Sequence, residues 1–222
     1  MKIDATFVRS AATADDFPCD GAPEIALVGR SNVGKSSLIN ALVRRRVART
    51  SGAPGKTRLA NIYRVERAAA LYVVDLPGYG FARGGSAGFD EITGAFFGQE
   101  RRACAPAGVA ALLLVDARHP GLPADVDAWR WLATVVEERA IVATKVDKLA
   151  RGERIRALRA IESVFAEPVQ PVSAVTGEGL DDLWKVIDRL VKHQSRRPIS
   201  SNSSSRSSRQ PRAATAPRRR RS

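Results

Sequence analysis

"EIALVGRSNVGKSS", residues 24–37, decides the fold. An apolar run, Glu24 to Gly29, has the length and composition of a buried strand, and the residues from Lys35 onward take up a helical pattern. Between them lies G-x-x-x-x-G-K-[ST], from Gly29 to Ser36. Two glycines let the backbone wrap closely, so that successive N–H groups and a helix N-terminus face one point, an arrangement suited to phosphate. The expected phosphate contacts are Gly29, Arg30, Ser31, Asn32, Val33, Gly34, Lys35, Ser36 and Ser37. Lys35 would bridge the β- and γ-phosphates of a nucleoside triphosphate, and the Ser36 hydroxyl would ligate Mg²⁺.

Outward from this unit, strand-like and helix-like segments alternate. Apolar runs at 24–29, 59–65, 69–75, 108–116, 139–145 and 167–174 read as strands, and 35–46, 89–104, 122–138, 151–165 and 179–193 read as helices. Strands apolar on both faces, separated by helices, predict an α/β fold. It has three layers, with a mostly parallel six-stranded sheet and helices on both faces. Ligands of such sheets bind at the carboxyl ends of the strands, so the loops that follow the strands carry the chemistry.

Three of those loops extend the site. "DLPG", residues 75–78, places Asp75 at a strand end, where it can hold a Mg²⁺-bound water, and sets Leu76, Pro77 and the Gly78 N–H near a γ-phosphate. "TKVD" supplies Thr144, Lys145, Val146 and Asp147. A carboxylate at Asp147 accepts both N1–H and N2–H₂ of guanine. Adenine lacks that donor pair and would leave the carboxylate unpaired, at a cost of ~2 kcal/mol or more. The Lys145 stem would lie along the purine face. "SAV", residues 173–175, follows the last strand, and Ser173, Ala174 and Val175 would meet guanine O6 through a backbone N–H, that of Ala174. GTP is favoured over ATP.

The net charge of +13 is concentrated in the tail. Residues 195–222 hold nine arginines and no acidic residue, leaving 27 basic against 23 acidic residues in the remainder. This Ser/Pro/Arg-rich tail cannot offset its ordering entropy by burial, so it is expected to be disordered. Two readings of it stand: a solvated extension, or a contact to nucleic-acid phosphates. Arg44, Arg45 and Arg46 are expected to close the first helix, where they suit its dipole or touch RNA. Cys19 and Cys104 have no C-x-x-C spacing and suggest neither a disulfide framework nor a zinc site, which fits a reducing cytoplasm. No signal peptide and no membrane span are evident, so a soluble cytoplasmic protein with no membrane partner is expected. His119 reads as a surface-loop residue, and with only His193 beside it no His-based site is credible.

Taken together, "PEIALVGRSNVGKSSLINAL", "ARTSGAPGKTRLANIY", "DLPGYGFA", "TKVD" and "SAVTGEG" resemble the EngB (YihA/YsxC) family of bacterial GTPases, within the wider TrmE-Era-EngA-EngB-septin-like group. The resemblance covers residues from about 5 to 193. It implies a P-loop GTPase fold in which residues 1–22 pack as an extension on a GTP-binding domain spanning 23–193, followed by the tail at 194–222. It further implies GTP hydrolysis to GDP and phosphate, a role in assembly of the large ribosomal subunit with its precursor and rRNA as partners, a link to cell division and septation, and a monomer. The alternative is a nucleotide-gated scaffold of the division apparatus with incidental hydrolysis. By the same resemblance Thr57 is the switch I threonine that ligates Mg²⁺ beside Ser36, flanked by Gly55, Lys56, Arg58 and Leu59. Asp75 reaches the metal through water. Related GTPases with Asn at the place of Asn32 hold K⁺ there in lieu of an arginine finger, so K⁺ is a candidate cofactor. The catalytic set is Lys35, Asn32, Thr57 and Gly78. Tyr79 stands where Ras-like proteins have a water-orienting glutamine, and a phenol is neither base nor amide, so slow intrinsic turnover is expected. Thr144 replaces the usual Asn, whose tie to the phosphate loop would be partly lost.

Overall fold

The computed structural model describes residues 3–49, 59–79, 87–98, 101, 105 and 108–195. The expected Gly55, Lys56, Thr57 and Arg58, together with Cys104 and the tail from 196, lie outside the described residues.

Seven strands form one mixed sheet: β1 Asp4–Ala11, β2 Glu24–Gly29, β3 Ala60–Glu66, β4 Ala70–Asp75, β5 Val109–Asp116, β6 Arg139–Thr144 and β7 Val169–Pro171. Their spatial order is β1-β3-β4-β2-β5-β6-β7. Five strands, from β4 to β7 across the sheet, run parallel, while β3 pairs antiparallel with both β1 and β4. The helices are α1 Lys35–Leu42, α2 Ala87–Phe97, α3 Pro123–Val135, α4 Arg151–Phe165 and α5 Leu180–Ser195.

Every residue of β2 is buried, as is all of β5 after Val109, because both faces of the central strands are covered. One apolar cluster, with Val28, Ile62, Val74, Leu113, Phe96, Trp129, Leu132 and Phe165, lies under α2, α3 and α4. The other, with Ile25, Leu27, Leu38, Leu42, Val73, Leu112 and Trp184, lies under α1 and α5. Trp184 is core, and its indole N–H donates to the Leu42 carbonyl at 3.3 Å. Trp129 is buried and Trp131 packs half-buried on the same cluster, edge-on to Phe97.

The sheet has seven strands rather than the expected six. The added one, β1, buries only Ala5 and Ala11. Its sequence therefore carries little apolar alternation, and edge pairing with β3, with a register shift between Phe7 and Arg9, makes the strand. The first helix also ends four residues earlier than expected. Arg44 adopts φ 53°, and the Asn40 side chain bonds the backbone of Val47 and Ala48, so Arg44, Arg45 and Arg46 lie past the helix in a loop. Cys19 is disulfide-bonded, contrary to the reading of the cysteine spacing, which says nothing about distance in the folded chain.

Candidate functional site

The phosphate-type loop leaves β2 and enters α1. Asn32 and Gly34 take positive φ, 62° and 112°, the second a value that side chains rarely adopt. At Gly29 a Cβ would lie 2.8 Å from Val33 Cγ1 and 2.9 Å from the Leu114 carbonyl, so only glycine lets the loop close onto β5. The Lys35 ammonium is buried within this turn and donates to the Gly29 carbonyl at 3.1 Å. Burial pulls its pKa down, opposed by the nearby charge of Asp75.

Asp75, at the end of β4, accepts a 2.8 Å hydrogen bond from Ser36 Oγ. Burial pushes its carboxyl up, against Lys35 and the Ser36 hydroxyl. A buried carboxylate beside a hydroxyl at a helix N-terminus is an oxygen donor pair of the kind Mg²⁺ takes, so these residues fit that ion.

The turn after Asp75 folds back over the loop. Arg30 and Tyr79 form a parallel bridge, and the Ser31 N–H donates to the Tyr79 carbonyl at 3.3 Å. A Cβ on Gly78 would sit 2.6 Å from the Ser31 nitrogen, so this approach requires glycine. Leu76 and Pro77 are buried beneath it. The Tyr79 phenol turns toward α3, where it donates to Asp125 Oδ1 at 2.8 Å, and the Arg30 guanidinium lies 3.4 Å from the same oxygen.

On the next strand ends, Thr144 Oγ1 lies 2.8 Å from the Val33 carbonyl and 3.1 Å from that of Val115. A tie to the phosphate-type loop is therefore present in the shorter form that Thr in place of Asn permits. A buried hydroxyl at the carboxyl end of β6 is close enough to reach where an amide would otherwise span. Lys145, at φ 60°, donates to the Asn32 carbonyl at 2.6 Å and to Asp116 Oδ2 at 2.9 Å. Asp147 Oδ1 accepts from Ser173 Oγ at 2.7 Å, which is the first cause of its lowered pKa. The Ser173 hydroxyl also accepts the N–H groups of Val175 and Thr176, at 3.2 and 3.1 Å, whereas no acceptor among the described residues takes that of Ala174. Val146 is buried, Val175 is 77% exposed, and Leu59 is half-exposed at the start of the segment leading to β3.

Two participants went unread in the sequence. Asp116 ends β5 with the same "VD" pattern by which Asp75 ends β4, and that repetition was the available signal. It anchors Lys145 and Arg118; although its burial acts in the opposite direction, hydrogen bonds from both hold its carboxyl well below the usual range. Asp125, in the first turn of α3, carried no local signal. His119 is exposed on the loop after β5. Among the described residues, no helix is long and apolar enough to cross a membrane.

Strand, phosphate-type loop and helix, followed by Asp75 ending β4 and Asp147 in the turn after β6, both at the carboxyl ends of parallel strands, define the P-loop GTPase class. The family model described as "50S ribosome-binding GTPase" matches residues 24–145. A "probable GTP-binding protein EngB" of Solibacter usitatus is 44% identical over 191 residues, covering 86% of this chain and 97% of that one. One of Pelotomaculum thermopropionicum is 42% identical over 200 residues, covering 86% and 98%. The chain belongs to the EngB family of GTPases. Solved structures share the fold. Era in complex with MgGDPNP and nucleotides 1506–1542 of 16S ribosomal RNA superposes at TM-score 0.62 and 24% identity, over 75% of this chain and 56% of that one. A crystal structure of a probable GTP-binding protein engB gives 0.57 and 23%, over 77% and 99%.

Proposed function

We propose that this GTPase binds GTP with Mg²⁺ at the carboxyl end of its sheet, hydrolyses it slowly to GDP and phosphate, and uses the cycle as a switch in assembly of the large ribosomal subunit, with a consequence for cell division and septation. The observation that carries the reading is the convergence of Lys35, Ser36 and Asp75 at one point, with the Asp147–Ser173 pair across the next strand ends. Lys35 neutralises the β- and γ-phosphates, and the amides of the loop from Gly29 to Ser37 hold the β-phosphate. Ser36 and Thr57 would ligate Mg²⁺, with Asp75 reaching it through water. When bound, the ion supplies positive charge to the phosphate oxygens as the terminal phosphate leaves. Asn32 would hold K⁺ where that ion assists.

Water attacks the γ-phosphorus, the bond to the β–γ bridging oxygen breaks, and GDP carries the electron pair away. The Gly78 N–H faces the γ-phosphate and orders the turn around it. Tyr79, bonded to Asp125, takes no proton, and without a water-orienting amide turnover stays slow. Asp147, fixed by Ser173, accepts both guanine donors, with Lys145 along the base and the Ala174 N–H at O6.

Support for the ribosomal role comes from the description of the matching family model and from the basic tail. Co-sedimentation with large-subunit particles, with GDP and with a non-hydrolysable GTP analogue, tests it. GTP-dependent binding is expected. Equal binding with either nucleotide, or nucleotide-independent binding to division proteins instead, would replace the switch by the scaffold reading. Deleting residues 195–222 should weaken particle binding and flatten its salt dependence while leaving the GTP-over-GDP preference intact.

A further inference from the structure

The loop after α1 is rigidly built although it is almost wholly polar on its outer side. Asn40 accepts the Val47 and Ala48 N–H groups at 2.8 and 2.7 Å and donates to the Ala48 carbonyl at 2.8 Å. Ala48 is buried in the core under α1 and α5, with Val47 packed against it. This clamp leaves Arg44, Arg45, Arg46 and Arg49 pointing outward, all exposed. Arg44 and Arg45 reach Asp181 and Asp4 at 3.8 and 3.1 Å, but these pairs are open to solvent and exchangeable. Arg46 and Arg49 have no ion pair among the described residues.

An exposed aromatic lies on the sheet face that the loop packs against, since Phe7 pairs with Tyr63 and Tyr63 shares an apolar cluster with Ala48. Phe7, on β1, is 51% exposed, with its ring edge-on to Tyr63 at 5.7 Å. Arg45 is bonded to Asp4 at the start of the same strand. Burial, and then the Asp75 charge, pushes the Tyr63 phenol up, and the Arg49 charge opposes them. An exposed ring on the same face as a loop of exposed arginines suits an unpaired nucleobase with its backbone, because every base has a face to stack and duplexed bases do not offer theirs. An acidic protein segment would use the arginines but not the ring.

We propose that the Asn40-clamped loop 44–49 and the Phe7 ring form a docking surface for single-stranded RNA, the arginines holding phosphates and Phe7 stacking one unpaired base. This surface deepens the proposed ribosomal reading and rests on it for its biological partner. The loop also leads in sequence toward Thr57, the residue that the family resemblance assigns to switch I.

Fluorescence anisotropy of the full chain with a short single-stranded RNA and with a duplex of equal length, across KCl concentrations, tests the assignment. The tail is present in every sample, so differences report the surface. Phe7→Ala should weaken single-strand binding about tenfold and leave the duplex unaffected, and Phe7→Trp should bind as the parent does. Arg46→Gln with Arg49→Gln should reduce the salt slope by about 1.4, at roughly 0.7 for each phosphate no longer neutralised. Arg156→Gln with Arg159→Gln, an equal charge change on exposed α4 at the other layer, should leave the slope unchanged. Unaltered binding by Phe7→Ala, or an equal effect of the α4 pair, would overturn the surface. Displacement of the RNA by polyglutamate as readily as by a second single strand would reassign it to an acidic protein. Insensitivity to these variants with GTP-dependent particle binding intact removes the surface alone. The expected RNA results without particle binding remove the ribosomal reading alone.

Discussion

The Tyr79 hydroxyl donates to Asp125 Oδ1 at 2.8 Å, and that bond turns the side chain after Gly78 toward α3. Asp125 is fully buried, and its other oxygen has no hydrogen-bond partner among the described residues. Burial pushes the Tyr79 hydroxyl well above its ordinary pKa, and the Asp125 charge adds to this, so the phenol stays protonated and serves as a donor.

Tyr79→Phe should therefore leave GTP turnover within about threefold while lowering stability by about 1–3 kcal/mol, since a buried carboxylate loses its donor. Single-turnover hydrolysis and thermal unfolding measure the two effects. A hundredfold loss of turnover with unchanged affinity would place the phenol at the reaction centre.

Thr144→Val keeps the shape and removes the hydroxyl that reaches the Val33 carbonyl. The expected loss is about 1 kcal/mol in GDP affinity, roughly fivefold, measured by calorimetry. No change would mean that the bond holds nothing the nucleotide needs.

The proposed base site assigns discrimination to Asp147, whose carboxylate accepts a hydrogen bond from Ser173. Asp147→Asn should shift preference from GTP toward xanthosine triphosphate, and Ser173→Ala should weaken GTP about tenfold without that shift. Competition binding with the two nucleotides separates these outcomes, and an unchanged preference in Asp147→Asn would refute the base-site assignment. Lys35→Ala should abolish useful GTP binding altogether.

At the opposite end of β2, Glu24 and Arg101 form a buried ion pair, with the guanidinium stacked on Phe17 and Phe96. Burial pushes Glu24 up to about 7, against the pull of Arg101. A carboxyl raised in the folded state binds more protons there than in the unfolded chain. Its contribution is complete below about 4.5 and is lost as pH rises through about 7. Denaturant melts should thus show stability falling over that window, with the fall reduced in Glu24→Gln. Arg101→Ala should cost about 3–5 kcal/mol at pH 8 and less at pH 5, where Glu24 takes up a proton. An equal cost at both would show that the pair's charge is not what matters.

The amino-acid sequence by itself determined the strand–loop–helix at residues 24–42, because Gly29, Gly34, Lys35 and Ser36 must be adjacent for one backbone turn to present them. It likewise determined the buried central strands, whose unbroken apolar runs have no other stable use. Asp75 was legible because it ends such a run, and Asp147 because "TKVD" closes the segment that follows one. Tertiary structure alone decided what depends on separate segments meeting. β1 became a strand through backbone pairing with β3, not through apolar pattern. Tyr79 found Asp125 46 residues away, and Thr144 found Val33 111 away. Hydrogen bonds of that kind leave no periodic trace, because a polar side chain's partner is fixed by how the layers pack and not by its neighbours in the chain.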